Sequence, residues 1–201
     1  MKSLKSYKVC FIGRTGNGKT SLINRLFGTK FSTDPLISCT KELYSVSFML
    51  PEGKTYEAVT VYDTPGIGEF SSDARYMRFY EDAVCNADCI VLVTTFDRTD
   101  APVQRFLKKL RECMNPNKEV RFIVALNHID SKIITDSAGE YEPWDNEKNQ
   151  PSEECLRNID ERIGIVHTKF DGKLLPFDVI PVCAARNYNI DKLKLEIISG
   201  N

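Results

Sequence analysis

Short apolar runs and longer amphipathic stretches take turns along this chain, the pattern of a mainly parallel sheet with helices on both faces. Residues 6–12, with Tyr7, Val9, Cys10, Phe11 and Ile12, read as the first strand. Residues 19–27 read as the first helix, closed by Gly28. Residues 29–40 are polar and irregular. Glu42 to Leu50 then alternates, with Leu43, Ser45 and Ser47 on one side and Tyr44, Val46 and Phe48 on the other. A turn at Pro51-Glu52-Gly53-Lys54 sends the chain back through Tyr56 to Tyr62, so this pair is an antiparallel hairpin.

The second half keeps the rhythm. Residues 73–85 have a helical stripe of Tyr76, Phe79, Tyr80 and Val84, and Cys89 to Val93 is a buried strand. Ala101 to Cys113 is a helix with Val103, Phe106, Leu107 and Leu110 inward. Val120 to Leu126 is a further buried strand. Residues 131–151, with Gly139, Pro143, Trp144 and Pro151, have no clear period. A helix follows from Ser152 to about Phe170, with Ser152 as N-cap and Glu153 and Glu154 in its first turn. Phe177 to Cys183 is the last strand and Ile190 to Ile198 the last helix. The expected class is α/β, with a six-stranded, mostly parallel sheet and one antiparallel strand.

Between the first strand and first helix lies Gly13-Arg14-Thr15-Gly16-Asn17-Gly18-Lys19-Thr20, followed by Ser21. The spacing G-x-x-x-x-G-K-[ST] in that context is a phosphate cradle. Glycines turn successive N–H groups toward one anion, and the helix N-terminus adds its positive dipole. Lys19 is expected to reach the β- and γ-phosphates, and the Thr20 hydroxyl to sit on Mg²⁺.

Composition narrows the rest. With 27 basic and 28 acidic residues among 201, the net charge of -1 shows no nucleic-acid or membrane-surface footprint. No apolar run approaches the roughly 18 residues of a membrane span, and Met1 to Ser6 has no apolar leader core. The seven cysteines are scattered without a C-x-x-C pair. Cys10 and Cys89 fall in apolar runs, and the helically spaced Cys85 and Cys89 lack the histidines of a metal site. Reduced thiols and a cytoplasmic setting are expected.

Three further stretches bear on which nucleotide is held. Asp63-Thr64-Pro65-Gly66 fits D-x-x-G at a strand end, where Asp63 holds Mg²⁺ through water and the Gly66 N–H faces the γ-phosphate. Asn127-His128-Ile129-Asp130 ends a buried strand, and a carboxylate there accepts from the N1–H and 2-amino group of guanine, a donor pair adenine lacks. Cys183-Ala184-Ala185 ends the last strand, where small residues let backbone approach a base. Each stretch alone also reads as a solvated loop. Four in this order, all at carboxyl ends of strands, stand where α/β sheets bind ligands.

On these residues the chain, from about Tyr7 to Ile198, resembles a small GTPase: a P-loop NTPase G domain of the translation-factor-related class, in its Era-like branch. Asn127 to Asp130 resembles N-K-x-D, and Cys183-Ala184-Ala185 resembles the S-A-x motif. Trp144, Pro151-Ser152 and Asn158-Ile159 resemble a bacterial subgroup of stand-alone Era-like GTPases. Gly13 to Lys19 is also similar to the septin-related, immunity-associated GTPases. The Era-like resemblance implies that Thr40 closes over the γ-phosphate and coordinates Mg²⁺, with Thr33 as the alternative. It implies catalytic parts for Lys19, Thr40 and Gly66, a metal site of Thr20, Thr40 and Asp63, and GTP or GDP as ligand. Four departures stand out. His128 replaces a lysine, Cys183 a serine, and Gly16 the asparagine of potassium-dependent relatives. Ile67 stands where Ras-like proteins have a water-orienting glutamine.

The expectation is one GTP-binding unit over residues 1–201, with slow hydrolysis and switching segments at 29–40 and 63–75. The 131–151 loop is either an interaction surface or a mobile insertion. Arg14 either touches the nucleotide of a second subunit or is an exposed arginine without catalytic part. A separate effector protein or a homodimer through the nucleotide face would be the partner. No ribosome, RNA or membrane module is expected. A GTP-dependent assembly module with little turnover, and a P-loop kinase, are the rival readings.

Overall fold

The computed structural model describes residues 5–33, 43–67, 80, 83–95, 101–114, 116–131, 142–172 and 176–199. Its strands are β1 (Ser6–Ile12), β2 (Tyr44–Met49), β3 (Ala58–Asp63), β4 (Cys89–Thr94), β5 (Arg121–Leu126), β6 (Trp144–Asp145), β7 (Gln150–Pro151) and β8 (Phe177–Pro181). Its helices are α1 (Lys19–Phe27), α2 (Ala101–Cys113), α3 (Glu153–Phe170) and α4 (Ile190–Ile198). Tyr80 and residues 83–85 are also helical.

Six strands form one sheet in the order β2-β3-β1-β4-β5-β8. All its pairings are parallel except β2 with β3. Alternation sorts the strand residues to two cores. Val9 and Phe11 of β1, Val91 and Val93 of β4, and Ile123 and Ala125 of β5 pack with Leu22, Ile23 and Leu26 of α1 and Leu193 and Ile197 of α4. Cys10, Ile12, Ile90, Leu92, Phe122 and Val124 face the other way, toward Val103, Leu107 and Leu110 of α2 and Val166 and Phe170 of α3. Strands covered on both faces read as unbroken apolar runs, which is what the sequence has here.

The order of strands positions the site. β1 leads on one side to β3 and on the other to β4, so the chain reverses direction across the sheet at the carboxyl end of β1. Ligands of open α/β sheets bind in the crevice at such a point.

Two expectations need correction. The last strand ends at Pro181 rather than Cys183: the Val182 N–H still reaches the Leu126 carbonyl at 2.8 Å, but the main chain of Cys183 pairs reciprocally with Tyr188 across a turn. Within the unperiodic 131–151 stretch, β6 and β7 form a small antiparallel hairpin, with Trp144 opposite Pro151. It leads straight into α3, where Ser152 accepts from the Cys155 N–H at 3.2 Å as the expected N-cap. No helix among the described residues is long and apolar enough to cross a membrane.

Candidate nucleotide site

Four loops meet at the carboxyl edge of the sheet. Gly13 to Gly18 leaves β1 with φ of 148° at Gly13, 80° at Gly16 and 82° at Gly18. A side chain at Gly13 would run into the Val93 carbonyl of β4, so glycine there lets the loop cross the neighbouring strand. Gly18 caps α1 in left-handed conformation and makes no side-chain cap, leaving the helix N-terminus as a donor-rich edge. Lys19 folds back over the loop and donates to the Gly13 carbonyl at 3.0 Å and the Arg14 carbonyl at 3.2 Å. Its ammonium is buried. Arg14 and Thr15 are half-buried and Gly16 is exposed at the loop tip; Ser21 is exposed on α1.

Asn17 turns inward, donating from Nδ2 to the Val93 carbonyl at 2.9 Å while its N–H points to the Arg14 carbonyl at 3.3 Å. The side chain braces the loop on β4, a role that its place in the spacing does not reveal.

The Thr20 hydroxyl donates to Asp63 Oδ2 at 2.7 Å. Asp63 ends β3 fully buried, and its charge, after burial, helps push the Cys10 thiol beneath it well above the ordinary cysteine range. The loop beyond Asp63 is laced to β1. Thr64 donates from Oγ1 to the Phe11 carbonyl at 2.7 Å, and the Ile67 N–H reaches the Gly13 carbonyl at 3.0 Å. Ile67 itself is buried among Cys10, Ile12 and Leu92, so it anchors this segment in the core rather than facing a reacting water. Tyr80 donates to the Pro65 carbonyl from the same side.

Gly66 lies hard against the phosphate loop. A Cβ there would stand 1.8 Å from Thr15 Oγ1 and 2.7 Å from the Thr15 backbone nitrogen. Gly66→Ala should therefore cost about 1–3 kcal/mol in denaturant unfolding, the range for overpacking. Thr15→Ala removes the hydroxyl but not the backbone contact and should restore only part of that loss. Unchanged stability in Gly66→Ala would show that the two loops are not packed this way.

The base-side loops are tied to the phosphate loop through Asn127. It is wholly buried, donates from Nδ2 to the Asn17 carbonyl at 3.0 Å, and accepts at Oδ1 from the Ala184 N–H at 3.3 Å. Its own N–H meets the Thr94 carbonyl at 2.8 Å. His128 adopts φ 59°, which swings its imidazole over the phosphate loop, where a Cβ on Gly18 would be 2.9 Å from Nε2. Asp130 is partly exposed, and Arg186 Nε stands 3.7 Å from its Oδ2. Cys183 is buried beneath; burial first, and Asp130 beside it, push its thiol up to about 11. Ala184 is buried, with its carbonyl held by Arg25 Nε of α1 at 3.1 Å, and Ala185 is exposed.

Three of the four expected loops thus share direct hydrogen bonds through Asn127, Asn17 and Ala184, and Asp63 joins through Thr20. Thr40 lies outside the described residues, as does most of 29–40 and 63–75; Thr33 is exposed. Sequence reading missed Arg186 and Arg25. Arg186 directly follows the small-residue stretch, which was the available signal.

This sheet order, the glycine loop, and the buried Lys19 and Asp63 with Thr20 between them define the class of P-loop nucleotide-binding α/β proteins. Residues 8–128 match the family model described as 50S ribosome-binding GTPase, and the chain belongs to that family. GTPase Era of Halothermothrix orenii is 29% identical over 208 residues, spanning 98% of this chain and 56% of that one. Neuronal-specific septin-3 of Danio rerio is 37% identical over 76 residues, 34% of this chain and 21% of its own. The crystal structure of Era in complex with MgGDPNP and nucleotides 1506-1542 of 16S ribosomal RNA shares the fold, with TM-score 0.64 and 22% identity, covering 98% of this chain and 57% of that one. The Era-like branch expected from the motifs is the one these relatives support. The chain spans little more than half the length of these relatives at most.

Proposed function

We propose that this chain binds Mg²⁺-GTP, hydrolyses it slowly and acts as a nucleotide-dependent switch over one unit, residues 1–201. The observation that carries the reading is the Asn127 bridge, which ties the phosphate loop to the base-side loops by hydrogen bonds at 3.0 and 3.3 Å. A site so joined is suited to grip both ends of one nucleotide. Asp130 would accept from guanine N1–H and the 2-amino group, with the Ala184 backbone and the His128 ring alongside.

Thr20 and Asp63 fit a hard cation: two oxygens, hydroxyl and carboxylate, 2.7 Å apart, the carboxylate buried and the hydroxyl half-buried. Thr40 would be the third protein oxygen. When bound, Mg²⁺ neutralises charge developing on the phosphate oxygens. Lys19 would hold the β- and γ-phosphates from within the loop, and the Gly66 N–H would face the γ-phosphate. Loss of that phosphate would release Thr40 and Gly66, and with them the segments 29–40 and 63–75. Buried, unpaired cysteines such as Cys10 and Cys89 suit a reducing, cytoplasmic setting.

Hydrolysis is slow in this reading because no side chain with a hydrogen-bonding group stands at Ile67 to orient water. Turnover of GTP by dilute protein should run on the order of 10⁻⁴ to 10⁻² s⁻¹, the range of unassisted GTPases, and stop on chelation of divalent cation. A rate that climbs with protein concentration would favour the assembly reading, with a second subunit supplying a group. Equal turnover of ATP and GTP would sink the guanine assignment.

A further inference from the structure

The hairpin β6–β7 is joined to the base-side loops by one side chain. Arg186 follows Cys183-Ala184-Ala185, and its guanidinium has three neighbours from two different parts of the chain. NH1 donates to Asn146 Oδ1 at 2.8 Å, in the turn between β6 and β7. The guanidinium carbon lies over the Trp144 ring at 5.3 Å from its centroid. Nε stands 3.7 Å from Asp130 Oδ2. Trp144 is itself fixed: it is buried, its Nε1 donates to Asn149 Oδ1 at 3.2 Å, and its ring meets Tyr188 edge-on at 5.5 Å. Leu126, Ile129, Cys155 and Cys183 pack beside Trp144 in the same apolar cluster.

The geometry points to Arg186 as a positioning residue for Asp130, and so to the β6–β7 hairpin as a built part of the purine pocket, selecting a base that carries a 2-amino group. A flat cation clamped by Trp144 and Asn146 has one place to be, and its charge fixes the direction of the adjacent carboxylate. At 3.7 Å the contact is an ion pair and not a hydrogen bond, so both Asp130 oxygens keep lone pairs for donors on a base. Holding two oxygens toward two donors matters only when the base has both. Guanine has N1–H and a 2-amino group; hypoxanthine has N1–H alone.

This inference rests on the guanine reading of Asp130, and the test separates the two. Affinities of GDP and IDP are measured by calorimetry for wild type, Arg186→Ala, Arg186→Lys and Asn146→Ala, with thermal melts to check that each folds. Wild type should prefer GDP to IDP, and Arg186→Ala should reduce that preference by about tenfold, the worth of one charge-assisted hydrogen bond. Asn146→Ala should move the ratio the same way by less. Arg186→Lys keeps the charge but not the flat face on Trp144, so it should recover part of the preference. Equal weakening of GDP and IDP in Arg186→Ala would mean a merely structural loop contact, and an unchanged ratio would likewise overturn the inference, while leaving the guanine reading intact. A wild type that fails to distinguish GDP from ADP would instead remove the guanine reading itself.

Discussion

Asp130→Asn is expected to weaken GTP and GDP binding by about 2 kcal/mol or more and to improve xanthosine nucleotides relative to guanosine ones. The carboxylate offers acceptors only, matching the two donors on guanine. An amide turns one of those acceptors into a donor, which meets the 2-amino group badly and the 2-oxo group of xanthine well. Competition of GTP with xanthosine triphosphate, read by calorimetry on wild type and variant, checks the inversion. Parallel weakening of both nucleotides in the variant would show that Asp130 shapes the loop without touching the base.

The reason this prediction was available from the sequence is that the elements bearing the site are long, apolar and buried. β4 and β5, covered on both faces, announce themselves as unbroken apolar runs, and their carboxyl ends fix where Thr94 and Asn127 fall. The glycine loop is legible because only its spacing lets a lysine fold back onto the loop carbonyls. The hairpin was not legible, since two-residue strands are too short to show a period of two. Its hold comes from tertiary contacts instead: Trp144 against Tyr188, and Arg186 reaching Asn146 from 40 residues away. Ile67 was legible as the absence of a glutamine, but not as a core residue. Burial against Ile12 and Leu92 depends on how the loop returns over β1, which local sequence does not encode. His128 gave the chemistry of an imidazole, and only its φ of 59° shows that the ring lies over Gly18.

Lys19→Ala is expected to lower affinity for both GTP and GDP by about a hundredfold or more, near 3 kcal/mol, because clustered phosphate charge loses its one buried cation in the loop. The fold should survive. The Gly13 carbonyl that Lys19 now engages at 3.0 Å also accepts from the Ile67 N–H at 3.0 Å, so it stays paired when the ammonium is gone. Arginine should not rescue the loss. The side chain is only 6% exposed, in a slot whose two carbonyls suit a compact ammonium, and a planar guanidinium presents its donors in a different fork. Calorimetry with GDP and a non-hydrolysable GTP analogue, on wild type, Lys19→Ala and Lys19→Arg, gives the comparison, with unfolding curves run in parallel. If Lys19→Ala keeps affinity within about tenfold of wild type, phosphate binding rests on backbone N–H groups and the helix terminus alone, and Lys19 is a clamp of its own loop.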